Sequence, residues 1–167
     1  LPMDVPISSP RNDHEWEQAL GLLKQVYVGE GYTSSDRAEA FMRRATFEEG
    51  GDLLLAHGAA GAVVGVVLHL HTNGPLGQVA RDGEAEFRML AVAPEARGKR
   101  IGEALVRACI ERAMNDGARA VVLWSQPTMP AAHRLYERLG FVRAPERDQE
   151  DVRGFTRLVF RKSLGCS

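Results

Sequence analysis

The run RGKRIG at residues 97–102 has the residue types and spacing to hold an anion. It follows an apolar stretch closed by Pro94 and leads into an amphipathic one. The first N–H groups of a helix have no acceptor within that helix, and the helix dipole puts partial positive charge beside them. Gly98 and Gly102 remove side chains that would block a phosphate approaching this backbone. Arg97, Lys99 and Arg100 add cationic charge. A helix starting near Gly98 would make a pyrophosphate site. Taken alone, the run is equally a glycine-punctuated helix start with solvated basic residues.

Two phosphate loops are excluded. A P-loop ends in Gly-Lys-Ser/Thr, and here Gly98-Lys99 is followed by Arg100. That also disfavours a nucleotide-hydrolysing enzyme, which needs the loop lysine and a metal-binding hydroxyl. A dinucleotide fingerprint needs three spaced glycines and an acidic residue on the next strand.

The elements around this turn follow from periodicity. Residues 84–93 (EAEFRMLAVA) read as the strand before it, and residues 101–115 as a helix with Ile101, Leu105, Ala108 and Cys109 on its apolar stripe. Gly117 stops that helix. Residues 120–124 (AVVLW) form a continuous apolar run, the mark of a strand buried on both faces. Residues 130–139 read as a further helix ended by Gly140, and Phe141-Val142 and residues 155–160 as closing strands. Upstream, residues 5–7 suit a short edge strand. Residues 13–28 suit a helix with Trp16, Leu20, Leu23 and Tyr27 at helical spacing, and another helix starts after Ser34 or Ser35. Residues 52–57 and 62–70 pair as a hairpin about a Gly58–Gly61 turn. This order predicts a mixed sheet with helices on both faces. Its βαβ unit, residues 84–124, has parallel strands and a right-handed crossover. With no repeat, low-complexity tract or linker, residues 1–167 read as one domain.

In these residues the sequence resembles the GNAT superfamily of N-acetyltransferases. That family's coenzyme A motif is Arg/Gln-x-x-Gly-x-Gly/Ala at a strand-to-helix turn. Arg97, Ile101 and Gly102 fit it, and Arg100 replaces the central glycine. The departure is tolerable if Arg100 keeps ordinary helical dihedrals and points outward. EFRMLAVAP (86–94) resembles the family's fourth strand and HRLYERLGF (133–141) its tyrosine helix. The resemblance is specific from about residue 85 to 142. It implies a GNAT-type α/β fold with a central twisted mixed sheet of about six to seven strands, splayed between the fourth and fifth. The acetyl-CoA-binding core would span about 84–142.

The resemblance also implies chemistry. Acetyl-CoA is the cosubstrate, the acetyl group passes directly to an amine in a ternary complex, and no metal is needed. The amine must lose a proton to attack, and the departing thiolate must regain one. Glu86 matches the position of a catalytic glutamate and is the candidate base, acting through a water. Strand alternation puts Glu84, Glu86 and Arg88 opposite Phe87 and Met89. Tyr136 matches the tyrosine aimed at the coenzyme sulfur and is the candidate acid; a phenol with pKa near ~10 is protonated at neutral pH. The backbone of Leu90, Ala91 and Val92 resembles the stretch that pairs with the pantetheine arm, and an N–H there would stabilise the thioester oxygen. Arg97, Gly98, Lys99, Arg100, Ile101 and Gly102 would hold the pyrophosphate. Met129 and Ser125 stand where acetyltransferases of the ribosomal-protein type carry asparagine and glutamate, which argues against that subgroup. The alternative on the same fold is a non-catalytic acyl-CoA-binding or regulatory module. A homodimer is an expectation from resemblance only.

Other residues carry blander readings. His69 and His71, two apart on one strand face, read as exposed strand histidines without a third metal ligand. His133 reads as helix-surface packing, and Cys109 as a buried, inert thiol. The Arg/Glu-rich residues 143–153 read as a solvated loop. Trp16, Tyr27 and Phe41 read as core, and the loop residue Tyr32 as a candidate pocket residue. The first two helices and the loop 72–83 should shape the acceptor site. The net charge of −1 gives no general attraction to nucleic acid or membrane. No apolar run approaches the ~20 residues of a membrane span. The N-terminus lacks signal-peptide features, and two cysteines, Cys109 and Cys166, make no disulfide framework. Those features lead to a cytoplasmic expectation.

Overall fold

A computed structural model describes residues 5–165; Cys166 lies outside them. The elements run β1 (Ile7–Ser8), α1 (Asp13–Tyr27), α2 (Ser35–Phe41), α3 (Arg44–Gly50), β2 (Gly51–His57), β3 (Val63–Leu70), β4 (Glu84–Val92), α4 (Ile101–Asn115), β5 (Ala120–Ser125), α5 (Pro130–Arg138), β6 (Val142–Arg143), β7 (Gln149–Glu150) and β8 (Thr156–Ser163). The strands form one sheet in the order β1-β2-β3-β4-β5-β8-β6, with β7 pairing β8 off this path. That makes eight strands where six to seven were expected. Three of them (β1, β6 and β7) have two residues each, too few to show a period of two in the sequence.

Helix starts follow local chemistry. The Asn12 side chain caps α1 by accepting from the Glu15 N–H at 2.9 Å, and Ser34 caps α2. Helix α3 has no side-chain cap and spans only seven residues, and the sequence reading missed it. Consecutive residues Leu53 to Ala56 in β2 and Val66 to Leu68 in β3 are all buried, so both faces of the sheet are covered at its centre. Helices α1 and α4 both pack on β3 and β4. Gly65 lets α4 approach closely, because a Cβ there would sit 2.8 Å from Ile101 Cγ2 and 2.9 Å from Leu105 Cδ1. The start of α4 is thereby docked beside the end of β4, where Gly65 pairs with Val92.

Two features open a site in this sheet. Strands β4 and β5 are parallel, and they pair only at Glu84, Ala85 and Glu86 opposite Ala120, Val121 and Val122. Beyond that point they part. On its other edge β4 bulges, because two residues, Met89 and Leu90, oppose the single residue Val67 between the Val66–Ala91 and Leu68–Arg88 pairs. Met89 takes the left-handed conformation at φ 63°.

Residues 143–153 are not a solvated loop. Arg147 is buried and donates to Glu84 Oε1 and Oε2 at 2.7 and 3.0 Å and to the Val79 carbonyl at 2.7 Å. Asp151 is buried between Arg153 and Arg157. The sequence hid this because the Arg147 partner lies 63 residues away. His69 is likewise buried rather than exposed, and burial lowers its pKa. His71 lies beyond the strand, 3.8 Å from Asp52 Oδ1.

Candidate active site

The gap between β4 and β5 opens into a cavity of about 780 Å³, within the range of small-molecule sites. Its walls come from the end of α1 and the chain after it, the β4 bulge, the turn before α4, the end of β5 and helix α5. Of the site residues expected from sequence, Leu90, Ala91, Val92, Arg97, Gly98, Arg100, Ile101, Gly102 and Tyr136 line it. Lys99 and Glu86 do not.

The turn before α4 leaves its backbone N–H groups free. After a short 3₁₀ turn at Pro94–Ala96, the chain passes through Gly98 at φ 81° and Arg100 at φ 63°, ψ 24° before α4 begins at Ile101. The helix therefore spans the residues its apolar stripe predicts, and Gly98 to Arg100 form the turn ahead of it, not its first residues. Arg100 does not keep helical dihedrals: it takes the left-handed geometry that glycine adopts at no steric cost. Among the described residues, no protein group accepts from the N–H groups of Gly98, Lys99, Arg100, Ile101, Gly102 and Glu103; the first bonded amide is Ala104, to the Arg100 carbonyl at 3.1 Å. Nothing stands within 4 Å of where a Gly98 Cβ would be. A run of free amides at a helix N-terminus fits a pyrophosphate. Arg97 is not free: it bonds the Val92 carbonyl through Nε at 3.2 Å and Glu30 Oε2 through Nη2 at 2.6 Å.

Tyr136 is the sole buried residue of α5. Its ring packs on Phe87, Phe141 and Phe160 at centroid distances of 6.1, 5.9 and 5.6 Å. Its hydroxyl has no protein hydrogen-bond partner among the described residues, and it is not among the fully enclosed polar atoms, so it opens to the cavity. Burial drives its pKa up, which keeps the phenol protonated and able to donate. Tyr27, read as core from sequence, also lines the cavity, and its hydroxyl donates to the Leu90 carbonyl at 2.8 Å. Tyr32 lies beside it, with ring centroids 6.1 Å apart.

Glu86 is 2% exposed. Its Oε1 accepts from the N–H groups of Gln78, Val79 and Ala80 at 3.0, 3.1 and 3.0 Å, while Oε2 is buried with no protein partner. Burial raises its pKa against the pull of those three donors. The loop 72–83 thus wraps Glu86 instead of lining the cavity. It still reaches the site indirectly, since Gln78 Oε1 accepts from Trp124 Nε1 at 2.7 Å and Trp124 lines the wall.

The sequence reading missed Arg88, Trp124 and Gln126 as wall residues. Alternation along β4 gave Arg88 a side but no partner, and Trp124 read as part of a buried run. His133 packs on Phe160 at 5.2 Å and meets Ser125 Oγ at 3.2 Å. Cys109 is fully buried, and burial raises its pKa. Among the described residues, no group of three or more His, Cys, Asp or Glu side chains could hold a metal ion, and no helix is long and apolar enough to cross a membrane.

Comparison with known proteins bears on the fold and the family. An N-acetylaspartate synthetase of Danio rerio is 43% identical over 76 residues, covering 46% of this chain and 27% of that protein. A mycothiol acetyltransferase of Arthrobacter sp. (strain FB24) is 31% identical over 146 residues, covering 86% of this chain and 44% of that protein. The chain thus spans less than half the length of these curated relatives. The PaiA N-acetyltransferase of Thermoplasma acidophilum, solved with coenzyme A, superposes with a TM-score of 0.70 at 16% identity over 97% of this chain and all of that one. A GNAT-family acetyltransferase of Staphylococcus aureus Mu50 gives 0.74 at 14% identity over 96% and 99%. Both share the fold. The profile of the Acetyltransferase (GNAT) family matches residues 15–141, and with that match over most of its length the chain belongs to the GNAT acetyltransferase family.

Proposed function

We propose that the chain transfers the acetyl group of acetyl-CoA directly to a primary amine in a ternary complex. The observation that carries this is the run of unpaired N–H groups from Gly98 to Glu103, opening onto the same cavity as the Tyr136 hydroxyl. Family membership supports acetyl-CoA as the cosubstrate. The names of the N-acetylaspartate synthetase and mycothiol acetyltransferase relatives support an acetyl acceptor that is a small molecule.

The pyrophosphate rests on the backbone from Gly98 to Gly102, with Arg97, Lys99 and Arg100 adding charge and Ile101 fixing the turn on the sheet. The pantetheine arm lies along the edge of β4 that β5 leaves free, at Leu90, Ala91 and Val92. An N–H there polarises the thioester carbonyl. The neutral amine attacks that carbonyl carbon. A C–N bond forms, the C–S bond breaks, and the sulfur leaves as the thiol with a proton from Tyr136. The amine gives up one proton. Glu86 takes it through a water once the packing around Oε2, an oxygen sealed from solvent at rest, opens toward the cavity. The secluded carboxylate rules out direct contact with the amine, because Glu86 does not line the cavity. Residues 1–167 act as one domain.

The test is direct. Acetyl-CoA is titrated in a melting assay, and thiol release is followed with a panel of amines. A concentration-dependent rise in Tm and amine-dependent thiol release are expected. No Tm change at millimolar acetyl-CoA defeats the proposal. A Tm rise without release for any amine leaves only the binding-module reading.

A further inference from the structure

Arg88 stands apart from the other arginines in the cavity wall. Arg97 is paired with Glu30 and Arg138 with Glu103, while Arg100 is exposed on the phosphate turn. Arg88 is half-buried on β4, and no Asp or Glu forms an ion pair with it among the described residues. A guanidinium carries five N–H donors. One of them, on Nη1, meets the Leu76 carbonyl at 3.2 Å. Phe41 supports the guanidinium plane at 4.7 Å. Burial pushes the pKa of Arg88 down to about 10, which marks a charge withdrawn from water without full compensation.

The surrounding charges do not supply its counterion. Glu86 favours the charged form but makes no ion pair with Arg88: its Oε1 accepts from three backbone N–H groups and its Oε2 is buried without a partner among the described residues. Arg153 and Arg157 add positive charge nearby, and Asp151 is held between those two. The Arg88 end of the cavity is therefore short of one negative charge. Burying an unpaired charge is costly, so a ligand that brings an anion there gains what the protein leaves unmet.

We infer that Arg88 anchors the carboxylate of a small amino-acid acceptor, whose amine lies a few bonds away at the thioester. This rests on the acetyltransferase reading above. The spacing follows from the strand. Arg88 precedes Leu90 by two positions across the bulge at Met89, which holds them closer than the roughly 7 Å of an extended pair. Leu90 begins the backbone assigned to the pantetheine arm, and Tyr27 ties its carbonyl beside Arg88. An amine and a carboxylate on one short carbon chain span that distance; a lysine or N-terminal amine of a protein has its α-carboxylate tied up in a peptide bond. A guanidinium fork takes a carboxylate or a phosphate, and the single missing negative charge matches the carboxylate monoanion.

The test compares matched acceptors in the thiol-release assay: a short amino acid, its amide, its decarboxylated amine and the aminophosphonate of equal length. The amino acid should exceed the amide and the amine in kcat/KM by at least about 100-fold, since a site built to bond a group rejects analogues lacking it. Arg88→Lys and Arg88→Gln should remove most of that preference by raising KM for the amino acid. Both should keep the Tm rise with acetyl-CoA. Equal turnover of amide and amino acid, or preference for the phosphonate, overturns the Arg88 inference and leaves the transferase reading standing. No Tm rise and no release with any amine overturn both. The wild-type series decides the matter even where a variant fails to fold.

Discussion

Arg97 and Glu30 join the turn before α4 to the chain just after the first helix, with Nη2 and Oε2 2.6 Å apart at the cavity wall. The pair is partly exposed, so it is worth about 0.2–1 kcal/mol. A pyrophosphate carries more charge than one carboxylate and competes for the same guanidinium. Arg97→Ala should raise KM for acetyl-CoA about tenfold, the range of one charge-assisted contact. Glu30→Gln should leave that KM unchanged or lower it. Initial rates at several salt concentrations check this, and a large KM increase in Glu30→Gln would show that the ion pair holds the site together.

Tyr136 separates packing from chemistry. Its ring packs on three phenylalanines, while its hydroxyl has no partner among the described residues. Tyr136→Phe should therefore change stability by less than about 0.5 kcal/mol. As the loss of a general acid, it should cut kcat on the order of 100-fold or more. KM for acetyl-CoA should hold. Unchanged turnover with normal melting would remove the acid role.

Glu86 calls for a pH profile. Burial raises its pKa, so its base form is lost on the acid side at a higher pH than an ordinary carboxylate would lose it. Wild-type kcat/KM should show that acid limb, and Glu86→Gln should lower the plateau by about tenfold or more and flatten the limb. Gln keeps an oxygen for the N–H groups of Gln78, Val79 and Ala80, whereas Glu86→Ala leaves them unmet at about 1–3 kcal/mol each when buried. An identical profile in Glu86→Gln would leave the residue a purely structural anchor.

The turn was legible because its physics is local. A strand closed by Pro94, two glycines and an amphipathic helix sit within residues 84–115, and each constrains the next. The place of Tyr136 in the cavity wall was legible for the same reason, since LYERLGF carries its own context. What the sequence hid depends on distant partners. Glu86 read as an active-site base, yet residues 78–80 cap it from the preceding loop. Arg88 looked like any alternating strand residue until the fold left it without an acid. Arg147 read as solvated because Glu84 lies 63 positions earlier.

Arg100 tests whether the turn works through backbone or side chain. At φ 63° it takes a conformation costing an L-residue roughly 1–2 kcal/mol. Glycine removes that strain and loses some of the gain to unfolded-chain entropy. Arg100→Gly should thus be neutral or stabilising by up to about 1 kcal/mol. KM for acetyl-CoA should stay within about threefold, because the N–H groups remain and the lost charge is exposed. Arg100→Val should destabilise, since a β-branched residue fits φ > 0 badly. Denaturant unfolding and initial rates measure both. A large KM increase in Arg100→Gly would assign the binding to the guanidinium.

The Glu84–Arg147 pair ties the far edge of the sheet to the start of β4, and it predicts how the fold responds to acid. Burial opposes the Glu84 charge, but Arg147, the Arg81 N–H and Arg161 outweigh it and hold its pKa at about 2, below the ordinary 4.5. A depressed folded value means that the stabilisation is complete above the unfolded pKa and is lost as pH falls through the folded one. Arg147→Met fills the space and removes the main partner. At neutral pH it should cost about 3 kcal/mol, because Glu84 stays buried with Arg161 alone to offset its charge. The variant's Glu84 then protonates at higher pH than the wild type's. The gap between the two proteins should accordingly narrow as pH drops from about 4.5 toward 2. Urea unfolding of both at pH 7 and pH 3 measures it, and a gap of equal size at the two pH values would mean that packing, not the ion pair, sets the loss.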